Sequence, residues 1–482
     1  MSTRLEQAIA VLRLVAARPD PTRPLPLSAI AAGAASTLST ASRLCAELAD
    51  AGLLERTDEY GAYRIGPRAV RLSGCAASTL ASVVDVELHR IAQDTAETVV
   101  FAAPEPGGVR IVATVGSGWT LHVPAATGEL VTDPRRAVVQ ASAGEDPVGE
   151  SQAGRAVEIA VGLTTPDGRR VAALAVSLPV YRAARARPRV RRVLGEARRA
   201  LERALAQAPR HPAPETAPAA ATAPGTVETA ARLLEHLARG PATARSAASA
   251  AGVRPDRARR ALDALVRAGI AQRDREADKV HLDLSVHAWY RAATEPLLGG
   301  SGPARAAATA AETRACVFVT ALKGMRSFTL IEHIEPLGEG LLMAPWLGRP
   351  HPLVGSDGGP TLAMDFSLDE LATLFPRRHG AAEFARFTAR VQHVRAEGVL
   401  TMESIDEFGI TSVSAPVRDA AGRVAAAACI VGATEDVKPR LADLETAARA
   451  LASRLSADLY TPDSAHIPTP TAMGAPPIPL SR

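Results

Sequence analysis

The chain has 482 residues, enough for roughly three or four domains, and its 47% hydrophobic and 22% charged residues exclude a disordered or fibrous protein. A formal net charge of +4 is too small at this length to single out a nucleic acid, a membrane or an acidic partner. Cys45, Cys75, Cys316 and Cys429 are too scattered for a disulfide framework or a CxxC pair, which suits a reducing cytoplasm.

MSTRLEQAIA lacks the apolar stretch and cleavage site of a leader, and no apolar run is read as reaching the roughly 18 residues of a membrane span. Only Lys279, Lys323 and Lys438 are lysines, so nearly all positive charge is guanidinium and an arginine-rich face is weaker evidence for nucleic acid than usual.

Apolar spacing predicts a first helix over 5–17, with Ala8, Leu12 and Val15 on one side, stopped by the Pro-rich segment 18–26. A short helix follows over 27–33. The stretch 36–66 then reads as a third helix and a two-stranded wing. Leu38, Ala41, Leu44, Leu48 and Ala51 fall on one buried face, and Ser39, Thr40, Ser42 and Arg43 on the other. Thr37 stands at the N-cap and Gly52 at the C′ position. Strands at 53–56 and 62–65 complete a winged helix-turn-helix, whose third helix suits the major groove. From this stretch alone, an amphipathic surface helix beside a hairpin explains the pattern equally well.

Helices are expected over 67–80 and 83–95, then strands at 98–102, 109–115 and 169–178. A basic amphipathic helix over 188–206 reads as a solvated face. The Ala/Pro composition of 208–225 marks a linker. Beyond it the pattern returns: Arg43 meets Arg260, Leu48 meets Leu265 and Gly52 meets Gly269, all at an offset of 217. A separation this long means a repeated folding unit rather than a solenoid. The second copy adds a connecting helix at 286–298, strands at 316–322 and 328–335, helices at 368–374 and 381–398, a strand at 423–431 and a closing helix at 439–459. Residues 461–482 are expected to be a disordered tail.

This order of segments resembles the IclR family of bacterial transcription regulators, twice over. The first copy carries LSAIAAGAASTLSTASRL, AGLLERTDEYGAYRIGPR, DTAETVVFAA and PDGRRVAALAVSLPVYR. The second carries GRPHPLVGSDGGPTLAM and VRAEGVLTMESIDEFGITSVSAPVRDAAGRVAAAACIVG. The resemblance implies an α+β chain with two winged helix-turn-helix domains, each followed by a GAF-like α/β effector domain. The divisions expected are 1–66 and 226–284 for the winged helices, 67–207 for a shortened first effector domain, 208–225 for the linker, and 285–460 for the second effector domain. The offset rises from 217 (Phe101 to Phe318) to 254 (Gly168 to Gly422), so the first effector domain is read as 254 − 217 = 37 residues short and structural.

By the same resemblance, Thr37, Ser39, Thr40, Ser42 and Arg43 would meet DNA, although Asp58 and Glu59 make an acidic wing tip. Arg254, Arg257, Arg259 and Arg260 offer the second copy a phosphate grip, with Asp256 where the family usually has Ser or Thr; the alternative for that cluster is a solvated helix in an arginine-biased protein. An effector would sit in the second domain. Leu353, Gly355, Ser356 and Gly359 would form its mouth, Met402 and Ser412 the wall with Thr411, and Cys429 and Val431 the floor, unless those two are simply core residues of a buried strand. Hydroxyl-poor Cys429 and Val431 point to a more apolar ligand, or to none.

The partners expected are double-stranded DNA, a small-molecule effector and a second copy of the chain in a homodimer, with no membrane, metal or cofactor, in the cytoplasm. No GxSxG, HExxH, Walker or GxGxxG motif suggests an enzyme. The competing reading is a ligand-sensing or protein-interaction module whose winged helices no longer bind DNA.

Overall fold

The Thr37 hydroxyl accepts the Thr40 amide at 3.2 Å and opens a helix over Leu38–Asp50. Gly52 ends it in the left-handed conformation at φ 70°. Ala41, Leu44, Cys45 and Leu48 are buried on it, beside Ala8, Ile9, Leu12 and Val15 of the first helix, Arg4–Ala16. Each leucine, isoleucine or valine among them contributes roughly 1.5–3 kcal/mol on full burial. Leu38 departs from the expected buried face: it is 57% exposed at the first turn. In this computed structural model the described residues are 3–18, 20–143, 148–207, 224–274, 278–336, 342–375, 380–404 and 408–460. The 461–482 tail and most of the 208–225 linker lie outside them.

The wing pairs Leu54–Arg56 with Ala62–Ile65, and Leu25–Pro26 adds a third strand along Ala62 and Tyr63. Beyond the linker, helices at Thr226–Leu237, Ala244–Ala251 and Pro255–Arg267 precede the antiparallel pair Ala271–Arg273 and Val280–Leu282.

A single helix, Pro67–Thr95, replaces the two expected over 67–80 and 83–95, because no proline or turn residue breaks the segment. It also corrects the reading that no segment reaches spanning length. By length and composition it could cross a membrane, with a mean hydropathy of 1.3, yet 56% of that window is buried within the protein. A second long helix, Ala288–Thr313, follows the pair Ala271–Arg273 and Val280–Leu282 and runs well past the expected 286–298. The two helices meet at Ser73, whose hydroxyl donates to the Val286 carbonyl at 2.6 Å and accepts from the Tyr290 amide at 3.0 Å. Gly74 touches the second effector region: a Cβ there would lie 2.3 Å from the Ala420 carbonyl carbon.

Each long helix leads into an antiparallel sheet of six described strands. The first runs, edge to edge, Leu130–Val131, Gly108–Val115, Thr98–Glu105, Arg170–Pro179, Ala156–Thr164, Val148–Ala153. The second runs Pro350–Pro352, Arg326–His333, Cys316–Lys323, Val424–Ala433, Ile410–Arg418, Leu400–Glu403. The strands Val148–Ala153, Ala156–Thr164, Leu400–Glu403 and Ile410–Arg418 are additional to those expected from the sequence. Helices Pro67–Thr95 and Val180–Gln207 cover one face of the first sheet, and the short helix Ala137–Ala143 lies on the other. On the second sheet, Ala288–Thr313 and Leu441–Tyr460 cover one face. Gly359–Leu362, Leu368–Leu374 and Ala381–Glu397 cover the opposite one.

Strand register corrects the sequence offset. Val100 pairs with Ala175, and Phe318 pairs with Cys429. With Ala175 and Cys429 separated by 254, the matching positions are Val100 and Phe318, 218 apart. The difference becomes 254 − 218 = 36 residues. Phe101 therefore packs on the helix side of its sheet and Phe318 on the opposite side of its own, since a one-residue slip turns every side chain over.

Candidate DNA-reading face and effector cavity

On Leu38–Asp50, Ser39, Ser42 and Arg43 are exposed, and Thr40 is half-buried. Thr37 is exposed too, and its hydroxyl also lies 2.9 Å from the Thr40 hydroxyl and 3.2 Å from that of Ser39. The first turn thus presents a connected row of hydroxyls followed by a guanidinium. The wing tip beside it, Asp58, Glu59 and Tyr60, is fully solvent-facing.

Pro255–Arg267 differs in character. Arg254, Arg259 and Arg260 are exposed, with Asp256 in the first turn. Arg257 turns away from the other three and donates to the Pro224 carbonyl at the end of the linker. The expected cluster of four arginines is therefore three outward arginines and one bonded to Pro224.

Both helices are held by one continuous apolar core that runs from Leu5 through Leu265. Polar contacts reinforce it. Arg68 bonds Glu235 at 2.8 Å, Glu228 at 2.7 Å and the Ala51 carbonyl at 2.9 Å, which joins the end of Leu38–Asp50 to Thr226–Leu237. Hydrogen bonding to Glu235 is the main cause that raises the Arg68 pKa above its ordinary value. Arg13 donates to the Ala268 carbonyl at 2.6 Å, and Arg267 meets Glu6 at 2.7 Å, so the first helix braces the end of Pro255–Arg267.

Against the outer face of the second sheet lies a cavity of about 660 Å³. Gly355, Ser356, Cys429 and Val431 line it, together with Phe318, Thr320 and Trp346. Leu353, Gly359, Met402 and Ser412 do not line it; they are buried in the surrounding structure, and the Ser412 hydroxyl is spent on the Met402 carbonyl at 3.3 Å. Thr411 likewise bonds Thr434 at 2.9 Å.

Gly358 lets the loop lie flat on the sheet, because a Cβ would come within 2.7 Å of the Thr320 hydroxyl and 3.0 Å of the Cys429 sulfur. Burial pushes the Cys429 thiol well up, so it serves as a neutral, weakly polar floor. The Ser356 hydroxyl is buried without a hydrogen-bond partner among the described residues. Strand alternation from Cys316 would have found Phe318 and Thr320; Trp346, in a loop, carries no such signal.

The first sheet has a counterpart cavity of only about 100 Å³. Glu158 sits in it, 4% exposed, bonded to Arg136 at 2.5 and 3.2 Å and to the Val138 amide at 3.0 Å. Helix Ala137–Ala143 packs close on those strands, where the longer second domain inserts two further helices.

A winged helix with an outward row of hydroxyls and Arg43, joined through a long helix to sheets of which one walls a cavity, defines a DNA-binding transcription regulator with an effector-binding domain. Comparison with known proteins agrees. Residues 5–58 match the IclR helix-turn-helix domain, and residues 309–457 match the bacterial transcriptional regulator IclR C-terminal domain.

Among solved structures, the chain is similar to Pseudomonas aeruginosa HmgR at 24% identity, over 48% of this chain and 98% of that one, with a TM-score of 0.35. An IclR-family transcriptional regulator from Rhodococcus sp. aligns at 20% identity over 50% and 97%, TM-score 0.37. An IclR homolog from Microbacterium hydrocarbonoxydans, complexed with 4-hydroxybenzoate, aligns at 19% identity over 48% and 100%, TM-score 0.29. No curated protein matches the chain.

Proposed function

We propose that the chain is two IclR-type units fused in tandem, a cytoplasmic regulator whose two winged helices form a covalent pair of half-site readers. The observation that carries this reading is the shared apolar core that holds Leu38–Asp50 and Pro255–Arg267 together while Arg43 and Arg260 face solvent. The matching strand order of the two sheets supports it as well. One chain then supplies both readers of a palindromic operator, and a homodimer would present four.

The two readers divide the work. Ser39, Thr40, Ser42 and Arg43, beside the N-cap Thr37, provide base-edge hydrogen bonding from the first turn of a recognition helix. Arg254, Arg259 and Arg260 provide phosphate contacts. The 660 Å³ cavity takes the effector, a compact and largely apolar molecule held between Phe318 and Trp346 and oriented by Ser356 and Thr320. The collapsed first cavity, closed by Glu158 and Arg136, makes its domain a structural spacer.

Gel shifts against fragments of the genomic region around the coding sequence test the proposal. A retarded fragment is expected, with affinity that falls steeply as salt rises. Arg43→Ala and Arg260→Ala should each weaken binding by about tenfold, in keeping with about 1–3 kcal/mol for a good contact. If only one of the two variants has an effect, the chain carries a single working reader and the tandem reading fails.

A further inference from the structure

Helix Val180–Gln207 carries nine arginines and two glutamates, a charge of +7. The whole chain sums to +4, so all the other residues together sum to −3. A general bias toward arginine would spread over the surface and be matched by carboxylates; here the excess sits on one helix. Arg185, Arg189, Arg192, Arg199 and Arg203 follow one another at spacings of four, three, seven and four, which sets them in a single stripe along an α-helix. All five are exposed, while Val190, Val193, Leu194 and Leu201 bury the other side of the helix against the first sheet. The stripe is about 27 Å long at 1.5 Å per residue.

Carboxylates answer only part of it. Asp94 lies 3.7 Å from Arg189 and 4.0 Å from Arg192, and Glu196 meets Arg192 at 2.8 Å. Beside the stripe, Glu150 takes Arg187 and Arg191, both at 2.7 Å, and Glu202 takes Arg198 at 2.9 Å. Arg185, Arg199 and Arg203 meet no carboxylate among the described residues.

The helix runs back along Pro67–Thr95. Arg182 bonds Glu97, just past the end of that helix, at 2.5 Å, and Arg90 reaches the Val193 carbonyl at 3.3 Å and Glu196 at 3.1 Å. The Arg203 end of the stripe is thus the end nearer the winged helix. There Leu205 and Ala206 share a cleft of about 490 Å³ with Leu237, Arg239 and Pro241. Arg239 and Arg245 are exposed beyond it.

We propose that this stripe is a DNA-backbone contact surface, which takes the phosphates of duplex flanking the bases met by Leu38–Asp50 and Pro255–Arg267. It rests on the reading of the chain as a DNA-binding regulator and adds a contact outside the winged helices. Each guanidinium can fork onto phosphate oxygens, and the stripe matches about eight base pairs of duplex. An anionic membrane fits less well, because a helix that lies on lipid needs a free apolar face, and this one has spent its own on the sheet.

Gel shifts of the full chain on one retarded fragment, at several salt concentrations, test this with the triple variant Arg185→Ala/Arg199→Ala/Arg203→Ala. All three side chains are exposed, so the variant should melt with wild type. Its plot of log affinity against log salt should be shallower by about 2–3, at about 0.9 per phosphate contact. Arg185→Lys/Arg199→Lys/Arg203→Lys should keep the wild-type slope, since charge sets it. Trimming the flanking base pairs should erase the difference between wild type and the alanine variant. An unchanged slope in the alanine variant, an equal loss in the lysine variant, or a difference that persists on trimmed DNA overturns the proposal while leaving the DNA-binding reading in place. Wild type that retards no fragment at low salt overturns both.

Discussion

Asp419 shows how one buried carboxyl can set a pH dependence. Burial raises its pKa from 3.8 to about 6, against the Arg291 charge and the amides of Arg423 and Ala421, which favour the ionised form. A carboxyl raised on folding contributes stability that is complete below about pH 4 and lost as the pH climbs through about 6. His281, lowered to about 4, and His287, lowered to about 3, act in the opposite sense: burial is the main cause for both, and they cost stability as the pH falls. Asp419→Asn keeps the acceptor for both backbone bonds and removes the titration. Its unfolding free energy relative to wild type should therefore rise between about pH 4 and pH 7, by on the order of 2–3 kcal/mol. Denaturant titrations at several pH values measure this, and a flat difference would refute it. At the same scale, Arg257 donates to the Pro224 carbonyl rather than facing outward. Arg257→Ala should weaken DNA binding less than Arg260→Ala does, in the same gel-shift assay.

Leu38–Asp50 and Pro255–Arg267 are built differently, and the difference has consequences. Leu38–Asp50 starts on a side-chain cap, whereas Pro255–Arg267 starts at Arg254 with no side-chain cap and Pro255 in its first turn. Thr37→Ala should cost about 1 kcal/mol of stability and should also weaken DNA binding, because the cap hydroxyl positions Thr40 and Ser39. Calorimetry and gel shifts on the same variant check both effects, and a change in stability alone would assign Thr37 to capping only. The effector-domain elements show a similar division. The second domain has room for a cavity because helices Leu368–Leu374 and Ala381–Glu397 stand over its sheet. In the first, Ala137–Ala143 lies directly on the strands and Glu158 fills the space.

Across the whole molecule, Leu38–Asp50 and Pro255–Arg267 depend on a few long-range contacts to stay in one arrangement. Arg68 is 17% exposed and bonds two glutamates from beyond the linker, each about one-third exposed. Arg68→Ala should lower stability by on the order of 1–2 kcal/mol, a partly buried network being worth more than a surface pair and less than a fully buried one. It should also reduce affinity for a two-half-site operator more than for a single half-site. Thermal unfolding with paired gel shifts measures the two effects, and equal losses on both DNAs would mean that Arg68 does not set reader geometry.

The sequence by itself determined the local parts. Apolar spacing, the Thr37 cap and Gly52 located helix Leu38–Asp50, and the recurrence of Arg43 as Arg260 located helix Pro255–Arg267, because helix periodicity and caps act over a few residues. The long helices were legible only in part: Pro67–Thr95 was read as two, and Ala288–Thr313 was read only as far as 298. Tertiary structure alone decided the rest. Which strands pair, and in which register, depends on partners some 70–110 residues away, and a single-residue slip reversed the faces of Phe101 and Phe318. Loop closure brought Trp346 to the effector cavity, and the packing of one half on the other set Ser73 against Val286 and Tyr290. No local pattern encodes such meetings, since they are set by the burial of apolar faces that only the folded chain brings together.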